Sequence, residues 1–297
     1  MLHSIEIVGD GVGPHLLITA GVHGDEYEPM VACRELAKYF TAGRSQLRGR
    51  VTIVPCVNIA AFERGTRTAD DGLDLARTCP GKSDGKPTEQ VAHALSELIR
   101  AADLYIDLHT GGVAYRIFPL AGYVLHRDEK VLERQRRMAQ AFNLPLIWGT
   151  SPTLDGRSLS VARDAGVPAI YAEYLGGSDC TVEGVRDYID GCLNVAAEFD
   201  MLDRMRPTNR VQYVKEDPRD NSGFLQLGHP SPLTGIFEAA AKLGDRVSAG
   251  DRLGTVASVG GDEQAEVVAN AAGLVIMLPG LPKVLKDQAT AMVVEVE

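Results

Sequence analysis

The sequence predicts an α/β protein, with a mixed, largely parallel sheet flanked by helices, followed by a small all-β domain of the barrel-sandwich kind. Apolar, β-branched runs alternate with segments whose apolar residues recur at helical spacing, which is typical of a parallel sheet covered by helices. Several of these runs stop at a glycine turn, as buried strands do at the edge of a sheet. Beyond about residue 206 the chain changes to short β-rich segments separated by Gly-Asp turns.

The individual elements follow from the same patterns. We predict strands at His3–Val8, Leu16–Ala20, Arg50–Val57 and Leu104–His109, and another within Gly166–Gly177. We predict helices that begin at about Glu28 and at Pro87, and a further helix from about Glu183 to Met201. The charged stretch from Arg204 to Pro218 contains two prolines and separates the region of alternating strands and helices from the region of short β-rich segments. We therefore predict an α/β domain at residues 1–205 and a β-rich domain at residues 206–297.

Charge and cysteine content restrict the function. The formal net charge of −10 argues against nucleic-acid and anionic-membrane partners. No apolar run reaches transmembrane length, and the stretch that begins at Met1 lacks the basic and apolar regions of a signal peptide. The five cysteines form no CxxC pair, which favours reduced thiols and a cytoplasmic protein. Any metal site should therefore be built from histidine and carboxylate side chains.

Two strand ends carry candidate metal ligands. His23 and Glu26 stand three residues apart in the turn after Ala20, and a loop that enters a helix can bring such a pair onto one ion. His109 ends another apolar strand, where open α/β sheets bind their ligands. Asp107 alternates onto the same strand face as His109 and is a candidate partner for it. The alternatives are a solvated polar loop for the first pair and a hydrogen-bonded core histidine for His109.

A carboxylate and a long polar loop complete the list of candidates. Glu173 ends an apolar strand just before a Gly-Gly turn, and burying it is costly unless it is paired or has a chemical role. Surface placement at the strand end is the alternative. The loop from Asn58 to Gly81 carries several arginines among Gly and Asp residues, and a loop of this length is usually functional or disordered.

Four motifs occur in an order that is specific when they are taken together: GVHGDE, DGLDLARTCPG within the long loop, DLHTGG and VPAIYAEYLGG. With them the chain resembles the succinylglutamate desuccinylase/aspartoacylase family, a branch of the zinc carboxypeptidase superfamily. The resemblance covers roughly residues 15 to 180 closely and the β-rich tail more loosely. Within that family the chain looks nearer to a subgroup of deacetylase-like members, including those that resemble N-acetyl-diaminobutyrate deacetylases. The resemblance implies a zinc carboxypeptidase-like fold for the first domain.

The resemblance also implies roles for particular residues. His23, Glu26 and His109 would hold one zinc ion per chain, and Glu173 would be the catalytic carboxylate. Arg67 would polarise the scissile carbonyl. The resemblance assigns substrate binding to three residues, Arg77, Asn58 and Arg163, the last of which lies ten residues before Glu173. One departure from the family is Ala76 in place of the usual Asn, which removes a polar contact to a substrate carboxylate.

These residues predict a zinc-dependent deacylase that acts on a small N-acyl amino acid or a related N-acyl amine. Water would attack the amide while Glu173 accepts its proton and then passes it to the leaving amine. One alternative is a carboxypeptidase that acts on peptides, and another is a metal-binding homologue without catalysis. The sequence names neither the acyl group nor the amine. Enzymes of this size are often symmetric dimers, so a homodimer is one expected oligomeric state.

Overall fold

Twelve strands form one mixed sheet in the computed structural model, which describes residues 2–220 and 222–296. The strands along the main path of the sheet are, in spatial order, β1 (Ile5–Val8), β3 (Arg48–Val54), β2 (Gly11–Ala20), β4 (Leu104–His109), β7 (Ala169–Gly176), β5 (Tyr115–Val124), β14 (Gly273–Pro279), β16 (Ala289–Val294) and β9 (His229–Pro230). The remaining members are β6 (Leu146–Thr150), which pairs with β5, β8 (Tyr213–Glu216), which pairs with β6, and β11 (Arg246–Val247), which pairs with β14. The predicted α/β class is confirmed.

The centre of the sheet is parallel. Strand β2 pairs in parallel with both β3 and β4, and β4 pairs in parallel with β7. Strand β5 then runs antiparallel to β7, so the sheet as a whole is mixed. Because the carboxyl ends of parallel strands meet at one edge, the turns after β2, β4 and β7 lie side by side.

Five helices cover the two faces of the sheet in the described part of the chain: α1 (Tyr27–Ala42), α3 (Pro87–Arg100), α4 (Glu129–Phe142), α5 (Ser158–Ala165) and α6 (Val182–Glu198). The short helix α2 (Ile59–Arg64) packs against the turn that follows β2. Alternation along the central strands sends Ile18 and Ile106 into the core formed with α1, α4 and α6. The neighbouring Leu17 and Tyr105 point to the opposite core, formed with α3 and α5. All four side chains are fully buried, as expected of strands covered on both faces.

The predicted strands and helices are present with small shifts in their bounds. The strand predicted at Arg50–Val57 begins and ends earlier, at Arg48–Val54, and the strand predicted at His3–Val8 begins at Ile5. The last predicted helix was extended too far, to Met201, whereas α6 ends at Glu198. The backbone of Asp200 has a φ of 57°, and this left-handed conformation cannot continue an α-helix.

The β-rich region after residue 206 contains a separate antiparallel sheet, but other strands of this region belong to the main sheet. Strands β13 (Gln264–Val268), β12 (Arg252–Ala257), β10 (Gly235–Ala239) and β15 (Lys283–Val284) form the separate antiparallel sheet. Strand β14 pairs with β5 instead, with Met277 opposite Ile117. Residues Leu274 to Met277 are all fully buried, so this run needs cover on both faces, and a central position in the large sheet supplies it. The division of the chain between residues 205 and 206 stays a prediction.

Candidate metal centre

His23, Glu26 and His109 bring their ligand atoms together at the carboxyl edge of the parallel strands. One nitrogen or oxygen atom from each residue lies within 4.8 Å of the others. His23 Nδ1 is 2.6 Å from Glu26 Oε1, and His109 Nδ1 is 3.1 Å from Glu26 Oε2. All three side chains are largely buried. Tetrahedral ligands at zinc–ligand distances of about 2.0–2.1 Å lie about 3.3 Å apart, so this cluster needs little change to hold a metal ion.

The chain reaches this arrangement through two parallel strand ends. His109 is the last residue of β4, and the turn from Gly21 to Glu26 joins the adjacent strand β2 to α1. Gly24 lies so close to the backbone of Ala61 in α2 that a Cβ atom would overlap it. Glycine at this position therefore lets the turn that carries two candidate ligands pack directly against α2.

Two aspartates orient the imidazole rings. His23 Nε2 lies 3.2 Å from Asp74 Oδ1, and His109 Nε2 lies 3.2 Å from Asp107 Oδ2. With each Nε2 directed at a carboxylate, both Nδ1 atoms face Glu26. A carboxylate behind a histidine ligand is the usual support of a metal site, since it fixes the ring and makes its other nitrogen more basic. The donor set of two imidazoles and one carboxylate, with no fourth protein ligand among residues 2–220 and 222–296, suits catalytic zinc.

The charges in the cluster depend on one another. Burial alone would raise the pKa of Glu26, but His23 and His109 hold it well below its ordinary value. Burial would lower the pKa of His109, but Asp107 and Glu26 raise it well above the usual range. The cluster therefore stabilises positive charge among these three side chains, as a cation site must.

Glu173 lies directly beside the cluster. It is paired in register with His109 across β7 and β4. Its Oε2 atom is buried and has no hydrogen-bond partner among the residues that the structure describes. Burial raises the pKa of Glu173 to about 8, against the opposing effect of His109. An unpaired carboxylate oxygen facing a candidate metal site is suited to accept a proton from water.

Arg67 approaches the cluster from the long loop. Its Nε and Nη2 donate to Asp74 Oδ2 at 3.1 and 3.0 Å, while Nη1 lies 3.4 Å from His23 Nδ1. Asp74 thus holds both Arg67 and His23. Asn58 has a different position, because it caps α2 by accepting a hydrogen bond from Ala61 N at 3.2 Å. Asn58 does not line the cavity beside the metal ligands.

A cavity of about 90 Å³ adjoins the three ligands, with Glu173, Arg67 and Ala76 in its wall. It is small compared with the 300–1,000 Å³ typical of ligand pockets. Arg77 stands at its mouth, and Ala76 contributes no polar group where the resembled family has an amide side chain. A larger groove of about 660 Å³ lies between α4, α6 and residues 200–209, but it contains none of the ligand residues.

The structure does not bring Arg163 to this cavity. Its guanidinium donates to Asp155 and Asp164 at 2.7 and 2.8 Å on the surface of α5. Arg157 lines the cavity instead, one residue before the start of α5. Its Nε and Nη2 atoms are buried and have no partner in the described ranges. Burial, followed by the charge of Arg77, lowers the pKa of Arg157 to about 10.

Sequence reasoning missed Arg157, although one signal was present. Residues 155–157 read Asp-Gly-Arg, and Gly156 has a φ of 80°, so a turn directs the arginine inward just before the helix. Ser158 follows and donates a hydrogen bond to Asp107, which ties the start of α5 to the metal cluster. No helix in residues 2–220 or 222–296 is long and apolar enough to span a membrane.

Comparison with known proteins agrees with this geometry. Residues 12–196 match the family model described as the succinylglutamate desuccinylase/aspartoacylase catalytic domain. The chain is 31% identical to N-alpha-acetyl-L-2,4-diaminobutyric acid deacetylase of Halomonas elongata over 85% of this chain and 73% of that protein. It is 33% identical to a succinylglutamate desuccinylase of Burkholderia orbicola over 57% of this chain and 48% of that protein. Both of these relatives are named as deacylases.

Solved structures share the fold along nearly the whole chain. The succinylglutamate desuccinylase/aspartoacylase from Rhodobacter sphaeroides superposes with a TM-score of 0.88 at 27% identity, covering 100% of this chain and 90% of that one. The product-bound ectoine utilization protein EutE from Ruegeria pomeroyi gives a TM-score of 0.87 at 29% identity, covering 98% and 87%. The likeness therefore extends through the β-rich tail, beyond the part that the family model matches.

Proposed function

Because the chain belongs to the succinylglutamate desuccinylase/aspartoacylase family, whose named relatives hydrolyse amide bonds, we propose that it is a zinc-dependent deacylase. Its substrate is a small N-acyl amino acid or a related N-acyl amine. One observation supports this most directly: Glu173, whose buried Oε2 atom has no partner among the described residues, is paired in register with His109 and lines the same cavity as His23, Glu26 and His109. A base beside a three-ligand metal site is the arrangement that hydrolytic zinc enzymes use.

The proposed roles divide between the metal and the side chains. Zinc, when bound by His23, Glu26 and His109, would supply Lewis acidity toward the amide carbonyl and would lower the pKa of water to about 7. Glu173 accepts the proton of the attacking water and then delivers it to the leaving amine. Arg67 donates a hydrogen bond from Nη1 to the carbonyl oxygen as negative charge develops there.

Two further arginines suit the substrate's anionic group. Arg77 stands at the mouth of the cavity, and Arg157 offers Nε and Nη2, both without a protein partner in the described ranges. These two atoms lie on one edge of the guanidinium and can bind both oxygens of one carboxylate. Our proposal for substrate binding therefore includes Arg77 and Arg157, and it leaves out Arg163.

The small cavity favours a deacylase over a carboxypeptidase. The cavity of about 90 Å³ is well below the usual size of ligand pockets, which favours a substrate with a short acyl group over one with a longer peptide chain beyond the scissile amide. We also propose a cytoplasmic location, because all five cysteines are free in the structure.

The test measures metal content and hydrolysis together. The purified protein is assayed with N-acetyl, N-succinyl and N-formyl amino acids, including Nα-acetyl-L-2,4-diaminobutyrate, before and after treatment with a chelator. We expect about one zinc per chain and release of one acyl group that stops with the chelator and returns with zinc. The variant His109→Ala should lose both metal and activity, while His3→Ala, at an exposed histidine, should keep both. Full activity in the metal-free protein would refute the proposal.

A further inference from the structure

An aromatic ring from the tail lies against the two arginines of the cavity. Gly223, Leu225 and Gln226 line the cavity, and Phe224 lies between them in the chain. The Cζ atom of Arg157 is 4.6 Å from the centre of the Phe224 ring, and the Cζ atom of Arg77 is 5.7 Å from the same centre. One ring therefore contacts both guanidiniums at cation–π distance.

The same segment also binds each arginine by a hydrogen bond. Arg157 Nη1 donates to Gly223 O at 3.3 Å, and Arg77 Nη2 donates to Gln226 Oε1 at 3.3 Å. Arg77 also donates from Nη1 to Ala76 O at 2.8 Å, so each of its terminal nitrogens has one partner. The Nε and Nη2 atoms of Arg157 have no partner among the described residues, although both atoms are buried.

The two arginines repel each other and lack a carboxylate of their own. The charge of Arg77 adds to burial in lowering the pKa of Arg157. Neither guanidinium forms an ion pair with a carboxylate in residues 2–220 or 222–296, although the charge of Asp74 acts to raise the pKa of both. Two like charges held together in a partly buried site are costly unless something neutral stabilises them or an anion joins them. The electron-rich face of Phe224 supplies the first, and an anionic ligand would supply the second.

We propose that Phe224 is a positioning residue, which holds Arg77 and Arg157 so that their free N–H groups converge on a carboxylate of the substrate. This inference rests on the proposed function, since it concerns the substrate side of the same cavity. Phe224 itself touches the two arginines. Its effect is to fix the guanidiniums in advance, so that the carboxylate finds its donors already ordered.

Binding to an inactive protein tests the inference without relying on turnover. The Glu173→Gln variant, loaded with zinc, is titrated by calorimetry with N-acetyl-L-aspartate and with its diamide, which has the same shape but no negative charge. Adding Phe224→Leu should weaken binding of the acid about tenfold and leave binding of the diamide unchanged. Phe224→Tyr keeps an aromatic face and should restore binding of the acid. Phe62→Leu, at a half-exposed phenylalanine of α2, is the matched control and should change neither.

Each outcome has a defined meaning. If Phe224→Leu weakened binding of the acid and of the diamide equally, the inference would be overturned, because the ring would then only shape the cavity wall. Unchanged binding of the acid, or no detectable binding of the acid to the Glu173→Gln protein, would overturn it as well. If the expected pattern is found in binding while the unsubstituted enzyme hydrolyses no N-acyl substrate, the proposed function fails and the role of Phe224 stands. Melting temperatures of all variants show whether each one is folded.

Discussion

Replacing Asp107 by Asn should weaken metal binding, although Asp107 is not itself a candidate ligand and faces the ring nitrogen of His109 that points away from the metal site. Its carboxylate is fully buried and accepts hydrogen bonds from Thr19 at 2.7 Å and from Ser158. It also faces His109 Nε2 at 3.2 Å. Burial alone would raise the pKa of Asp107, yet the charge of His109 lowers it, so the carboxylate is ionised. Asparagine has the same shape but no charge, and its amide can present N–H to His109 and leave the proton on Nδ1.

The size of the effect follows from the role of such carboxylates. Loss of a partner behind a histidine ligand typically weakens metal affinity about 10- to 100-fold. At about 1.4 kcal/mol per tenfold change, that is about 1.4 to 2.8 kcal/mol of binding free energy. The affinity is measured by competition with a chromophoric chelator at fixed pH.

A second aspartate near the start of the same strand provides the control. Asp103 accepts a hydrogen bond from His15 N at 2.8 Å, far along β4 from the metal cluster. Asp103→Asn should therefore leave zinc affinity unchanged. If Asp107→Asn is folded, by its melting temperature, and binds zinc as tightly as the parent, then the carboxylate does not orient His109 and the reasoning is refuted.

Two further predictions concern catalysis and stability. Glu173→Gln should keep its zinc but lower kcat by about 10²- to 10⁴-fold, because the amide cannot accept a proton from water; near-parental kcat would remove Glu173 from the mechanism. The pKa of His15 lies below 6.5, since burial and the charge of Arg50 oppose its protonation. Only the unfolded chain takes up that proton, so the free energy of unfolding should fall as the pH drops below about 6.5. Urea unfolding at pH 7.5 and 5.5 should show a smaller loss in His15→Gln than in the parent, and an equal loss would contradict the assignment.

Most helices and strands, and the chemistry at the strand ends, could be predicted from the sequence. Apolar periodicity predicted β4 at its observed bounds, because a buried strand needs apolar residues at fixed intervals, and the predicted helix start at Pro87 is the observed start of α3. His23, His109 and Glu173 were candidates for the same reason: a polar side chain at the end of such a strand faces the edge where parallel strands meet. The structure brings these three side chains together.

The surroundings of these three side chains became visible only in the folded structure. Arg163 and Arg157 lie six residues apart and look equivalent in the sequence, yet only Arg157 enters the cavity, because α5 turns Arg163 toward surface carboxylates. Phe224 meets Arg77 although the two are 147 residues apart in the chain, and nothing local marks that contact. Strand β14, which the sequence predicted as part of the β-rich domain, likewise pairs with β5 of the main sheet. Local patterns reflect forces between neighbours in the chain. The wall of a cavity depends instead on how segments that are distant in the chain pack together, and local patterns do not show that packing.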